Sequence, residues 1–101
     1  MIELFQAEWC PYSHRVRQRL TELGVDVVIR QVPADRAARD ELQGVAGSPA
    51  IPTLVREDGD PLVGAEAILA WLNDRFEERE DAGRHRALAR VEVPLFEELQ
   101  R

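Results

Sequence analysis

The chain has 101 residues, 45% hydrophobic and 32% charged, with a formal net charge of −6. That length supports one domain with a real core, and 19 acidic against 13 basic side chains lack the basic footprint of a nucleic-acid binder. No apolar run reaches the ~18 residues of a membrane span, no signal-peptide pattern opens the chain, and a single cysteine excludes an internal disulfide, so a cytoplasmic, reducing setting is expected.

Residues 1–6 read as a short buried strand, ended by Trp9-Cys10-Pro11. From Pro11 the pattern turns helical, with Val16, Leu20 and Leu23 at i, i+4 and i+7. Pro11 suits a first helical turn, where no N–H is needed, and Gly24 suits the left-handed residue that ends a helix. Val25, Val27, Val28, Ile29 and Val32 predict a fully buried strand, which completes a right-handed βαβ unit. Asp35 is a candidate N-cap for a short helix over about 36–43, followed by a loop carrying Gly44, Gly47, Ser48 and Pro49. Residues 52–56 predict a strand, Asp58-Gly59-Asp60 a hairpin turn, and 61–63 the returning strand. The strongest helical pattern covers 65–78, with Ala65, Ile68, Leu69, Leu72 and Phe76 on one face. A polar run at 77–81 precedes a last helix over about 84–100, in which Leu88, Val91, Leu95 and Leu99 are in phase and Pro94 is expected to kink or split it. The order β-α-β-α-β-β-α plus a C-terminal helix predicts an α/β sandwich on a four-stranded mixed sheet.

Three motifs carry chemistry. Cys10-Pro11-Tyr12-Ser13 sits at a strand-to-helix junction, where free N–H groups and the helix dipole stabilise a thiolate. Ser13 can add a hydroxyl hydrogen bond to the sulfur. Ile51-Pro52-Thr53 opens a strand after a loop; a proline there has an ordinary explanation, since it needs no ladder donor. Val63-Gly64-Ala65-Glu66-Ala67 places a helix start after a strand, where N–H groups can receive a carboxylate and Glu66 also complements the dipole. His14 is either a cation near the thiol or a solvated helix residue. Arg15, Arg17 and Arg19 stripe the first helix as a solvated face, with Arg15 the nearest to an anionic ligand. Trp9 is expected at the rim of the site and Trp71 in or just under the core. One cysteine and two separated histidines, His14 and His85, give no internal metal site.

Taken in this order, the three motifs make residues 1–78 resemble the glutaredoxin family, and equally the thioredoxin-like N-terminal domain of glutathione transferases. The resemblance implies a thioredoxin-like fold, catalysis through Cys10 within Cys10, Pro11, Tyr12 and Ser13, and a glutathione site formed by Tyr12, Arg15, Ile51, cis-Pro52, Gly64, Glu66 and Ala67. Ile51 would hold the cysteinyl part of glutathione through its backbone, and the N–H groups of Glu66 and Ala67 would meet the γ-glutamyl carboxylate. Ala7 stands where glutaredoxins often carry a lysine, and Arg15 or Arg39 is a candidate substitute. Ser13 at the fourth motif position implies a monothiol route, with glutathione as co-substrate and glutathionylated proteins or small-molecule disulfides as partners. The alternatives are a transferase or glutathione-binding module, a [2Fe–2S] carrier held by two chains, and an interaction domain with a vestigial site. Residues 79–101 are expected to extend the same domain and pack on it, in a monomer or weak homodimer.

Overall fold

Side chains alternate across a strand, so the first strand sends Leu4 to one face of the sheet and Phe5 to the other. That alternation, repeated by Leu54 and Val55, builds two cores. A computed structural model describes residues 1–99, and the side chains of 1–91 among them. The elements are β1 (Glu3–Gln6), α1 (Pro11–Leu23), β2 (Val28–Gln31), α2 (Asp40–Ala46), β3 (Thr53–Val55), β4 (Pro61–Val63), α3 (Ala65–Arg75) and α4 (Ala82–Leu99). The sheet order is β2-β1-β3-β4. β1 runs parallel to β2, with Leu4 beside Ile29, and antiparallel to β3, with Leu4 beside Leu54 and Phe5 beside Thr53. β4 closes the hairpin on β3. This is the expected α/β sandwich on a four-stranded mixed sheet.

The larger core joins Ile2, Leu4 and Leu54 to Val16, Leu20 and Leu23 of α1 and to Ala65, Ile68 and Leu72 of α3. Each fully buried aliphatic side chain contributes about 1.5–3 kcal/mol. The smaller core, on the opposite face, joins Phe5 and Val55 to Leu42 of α2. Trp71 is half-buried against the larger core, edge-on to Phe76 at 5.9 Å between ring centroids.

Several boundaries differ from the sequence reading. β2 is an exposed edge strand rather than a fully buried one. Its apolar run divides the work: Val25 and Val27 reach the larger core before the strand, and Val32 reaches the smaller core after it. The helix expected at 36–43 is instead a single 3₁₀ turn, Arg36–Ala38, capped by Asp35 Oδ1, which accepts from the Ala37 N–H at 3.0 Å. The chain breaks at Arg39 and resumes as α2. α4 passes through Pro94 as one helix, because a proline removes one hydrogen bond without having to divide the element. The packing expected of Leu95, Phe96 and Leu99 lies outside the described side chains.

Of the arginine stripe, Arg15 is exposed as expected, whereas Arg17 and Arg19 are half-buried in polar contacts. Arg17 donates to Gln6 and Glu8. Arg19 donates to Asn73 of α3 at 2.7 Å, to Glu22 at 2.8 Å and to Glu78 at 2.6 Å. Arg86 of α4 donates to the same two carboxylates, at 2.8 Å each. Burial pushes the Glu22 carboxyl up, but Arg19, Gln18 and Arg86 outweigh it and hold it below the usual range. Glu78, between Arg86 and Arg19, is held down at about 2. Two carboxylates and two guanidiniums thus bind α1, the segment after α3 and α4 together.

Candidate thiol site

The first wall of the site is the end of β1. The Cys10 N–H donates to the Ala7 carbonyl at 3.1 Å, closing a turn that aims the chain into α1. Cys10 is the N-cap of that helix and Pro11 occupies its first turn. The Cys10 Sγ accepts the Ser13 N–H at 3.4 Å, so the thiol takes the place of a capping oxygen. Ser13 is fully buried, and its Oγ has no oxygen or nitrogen partner among the described residues. Burial of Cys10, 5% exposed, pushes its pKa up. The Ser13 hydroxyl, the N–H groups of Ser13 and Tyr12, and the charge of Arg17 together outweigh that, and the thiol pKa falls below its ordinary value. His14 is exposed, and the cation that acts on the sulfur is Arg17, one helical turn further on.

The second wall is the loop between α2 and β3. The Ser48 Oγ accepts from the Ala50 N–H at 3.2 Å, and the Thr53 hydroxyl donates to the Ala50 carbonyl at 2.8 Å. The Ile51–Pro52 peptide bond is cis. The Pro52 carbonyl accepts from the Gly64 N–H at 2.9 Å, tying this loop to the third wall.

That third wall is the turn from β4 into α3. Gly64 caps α3 with φ 93° and ψ 150°, a conformation essentially confined to glycine. No side chain caps the helix, which leaves its first N–H groups available. Glu66, in the first turn, accepts from Arg15 at 2.8 Å across the mouth of the site.

The three walls meet. Tyr12, Ile51, Pro52, Val63, Gly64, Ala65, Glu66 and Ala67 line one groove of about 270 Å³. Tyr12 links this groove to the thiol turn, whereas Cys10, Pro11 and Ser13 are not part of its lining. Trp9, beside the thiol, is two-thirds exposed and covers nothing. Arg39 is not a surface substitute for the absent lysine: it is buried, and its guanidinium is spent on backbone carbonyls. A larger cleft of about 480 Å³ lies between β2 and α2 and contains, of the residues expected at the site, only Arg39. Val63 and Ala65, read in the sequence as part of the helix-start motif but not as ligand contacts, also line the groove. Sequence reasoning missed Arg17 beside the thiol, at which only the i, i+7 spacing from Cys10 hinted. Among the described residues, no group of three His, Cys, Asp or Glu is placed to hold a metal ion. No described helix is long and apolar enough to cross a membrane.

Comparison with known proteins identifies the family and the fold. The family model described as glutathione S-transferase, N-terminal domain, matches residues 9–75. A glutathione transferase family member from Pseudomonas fluorescens Pf-5, solved with bound glutathione, aligns with a TM-score of 0.70 and 24% identity over 78% of this chain and 40% of that one. A delta-class glutathione transferase from Nilaparvata lugens aligns at 0.67 and 20% identity, over 81% of this chain and 38% of that one. Glutathione S-transferase 1-6 from Anopheles dirus species B aligns at 0.67 and 21% identity, over 78% and 37%. The chain therefore spans about two-fifths of these structures or a little less, and at such identity they show the thioredoxin-like fold. A comparison with curated protein sequences found no match. With the family model covering both the thiol turn and the groove, the chain belongs to the glutathione S-transferase N-terminal domain family.

Proposed function

We propose that this chain binds glutathione in the groove and uses Cys10 as the single thiol of a glutathione-dependent disulfide reductase. One observation carries the reading: a helix-capping thiol with a lowered pKa stands beside a groove walled by a cis-proline and an uncapped helix start. The γ-glutamyl carboxylate would meet the N–H groups of Glu66 and Ala67 at the start of α3. Ile51 would pair its backbone with the cysteinyl part, Tyr12 would cover the thiol end, and Arg15 would turn from Glu66 toward the ligand's charge.

In the reaction the Cys10 thiolate attacks the glutathione sulfur of a mixed disulfide. A Cys10–glutathione disulfide forms, and the substrate leaves as a thiolate that takes a proton from water. A second glutathione thiolate then attacks the glutathione sulfur of that adduct. Oxidised glutathione departs and the Cys10 thiolate returns; the sum is one mixed disulfide and one glutathione converted to one substrate thiol and one oxidised glutathione. A low-pKa thiol is a good leaving group in this second step. Substrates would be glutathionylated proteins or small disulfides in a reducing compartment such as the cytoplasm.

The test is deglutathionylation by the native chain against Cys10→Ala, with mass spectrometry after exposure to oxidised glutathione. Turnover lost in the variant and an adduct confined to Cys10 are expected. Equal turnover in both proteins would overturn the proposal. The family match supports a second reading, a transferase module in which the same thiol and groove hold glutathione for conjugation. Electrophile conjugation faster than disulfide reduction in the same preparation would select it.

A further inference from the structure

Arg39 is a buried cation, 5% exposed, with no carboxylate partner among the described residues. Burying an unpaired guanidinium is costly unless its donors are satisfied. Here they are satisfied by backbone. Nε donates to the Pro33 carbonyl at 2.9 Å, Nη1 to the Pro49 carbonyl at 2.9 Å, and Nη2 to the Ala34 carbonyl at 3.3 Å. The planar fork thus clamps two segments far apart in sequence, the exit of β2 and the loop that leads into the cis-proline. Arginine suits this role because its donors are fixed in one plane.

The clamped loop has a second property. Among the described residues, neither the N–H nor the C=O of Ile51 takes part in a hydrogen bond, and Ile51 lines the groove. Its neighbours are all anchored: Pro49 by Arg39, Ala50 by Ser48 and Thr53, and Pro52 by Gly64. Free backbone groups held between fixed neighbours form a pre-organised recognition edge.

We infer that Arg39 is a positioning residue for ligand binding: through the Pro49 carbonyl it holds the Ile51 backbone at the groove, without touching the ligand. The inference rests on the reading that the groove takes the peptide-like backbone of glutathione. Arg39 acts on affinity and leaves the thiol alone, since nothing it contacts belongs to the Cys10 turn.

Arg39→Lys and Arg39→Met test this, with glutathione binding measured by calorimetry below the unfolding temperature of each variant. Arg39→Lys keeps the charge and the stem but cannot make the three-way fork, so it carries the test if Arg39→Met does not fold. The dissociation constant is expected to rise roughly ten-fold, the scale of one ligand hydrogen bond. The pH profile of Cys10 alkylation is expected to stay put, and the amide resonances of Ala50, Ile51 and Thr53 to shift. A folded Arg39→Lys that binds glutathione as tightly as the native chain would overturn the inference, as would lower thermal stability with no change in affinity. Failure of the native chain itself to bind glutathione would instead overturn the reading beneath it, so the two failures are distinguishable.

Discussion

Cys10 combines burial, which works against a thiolate, with four partners that favour one. The balance is downward, so alkylation should reach half its maximal rate at a pH below the ordinary thiol value of 9.0. Arg17 is the charged member of that set, and Arg17→Met should move the profile to higher pH while leaving the Ser13 N–H bond in place. Rates of iodoacetamide labelling against pH check both statements, and an unmoved profile in the variant would remove Arg17 from the account. Much of this was legible in the residues themselves. Cysteine before proline after a strand names a helix start, and the thiol lies there. The partner of the sulfur was harder to read, because His14 is closer in sequence while the helix carries Arg17 round to the thiol's side.

Among elements, both ends of α1, the start of α3 and the hairpin were legible because their signals are local: Pro11, Gly24, Gly64 and Asp58-Gly59 each act within one turn. Gly64 shows how local that control is. No atom lies within 4 Å of where a Cβ would sit, so Gly64→Ala meets only backbone strain, worth about 1–3 kcal/mol. A thermal melt should show that loss, with weaker glutathione binding as the start of α3 shifts. What the sequence hid depends on long-range partners. A run of β-branched residues looks the same at an edge as at the centre, so only strand order reveals β2 as an edge. Arg19 of α1 looks solvated until Glu78 and Arg86 arrive from beyond α3. Those groups also set an acid response. Glu22 and Glu78 titrate lower in the folded chain than the ordinary 4.5, Glu78 at about 2. Their stabilisation is therefore complete above pH 4.5 and drains as the pH falls toward 2. Glu22→Ala should cost about 1–2 kcal/mol at neutral pH by removing the buried acceptor that Arg19 and Arg86 share, leaving them Glu78 and Asn73, and it should flatten the acid limb of a stability curve followed by circular dichroism. An acid limb equal to that of the native chain would refute the assignment.

At the scale of the whole molecule, two cores on opposite faces share one sheet, and β1 belongs to both. Leu4, fully buried in the larger core, should cost about 2–5 kcal/mol when cut to alanine. That is a large part of the 5–15 kcal/mol that holds an ordinary domain together. Urea unfolding should then shift in midpoint with little change in slope. The same sheet governs how the site can fail. Phe5 is paired with Thr53, and the thiol turn follows one strand while Pro52 precedes the other. Strand pairing admits no small errors: a slip of one residue turns every side chain to the wrong face, and a slip of two moves the proline by about 7 Å. Thiol and proline are therefore either in register or several ångströms apart. Mild heat or denaturant should reduce the number of working molecules and leave each survivor working at full quality.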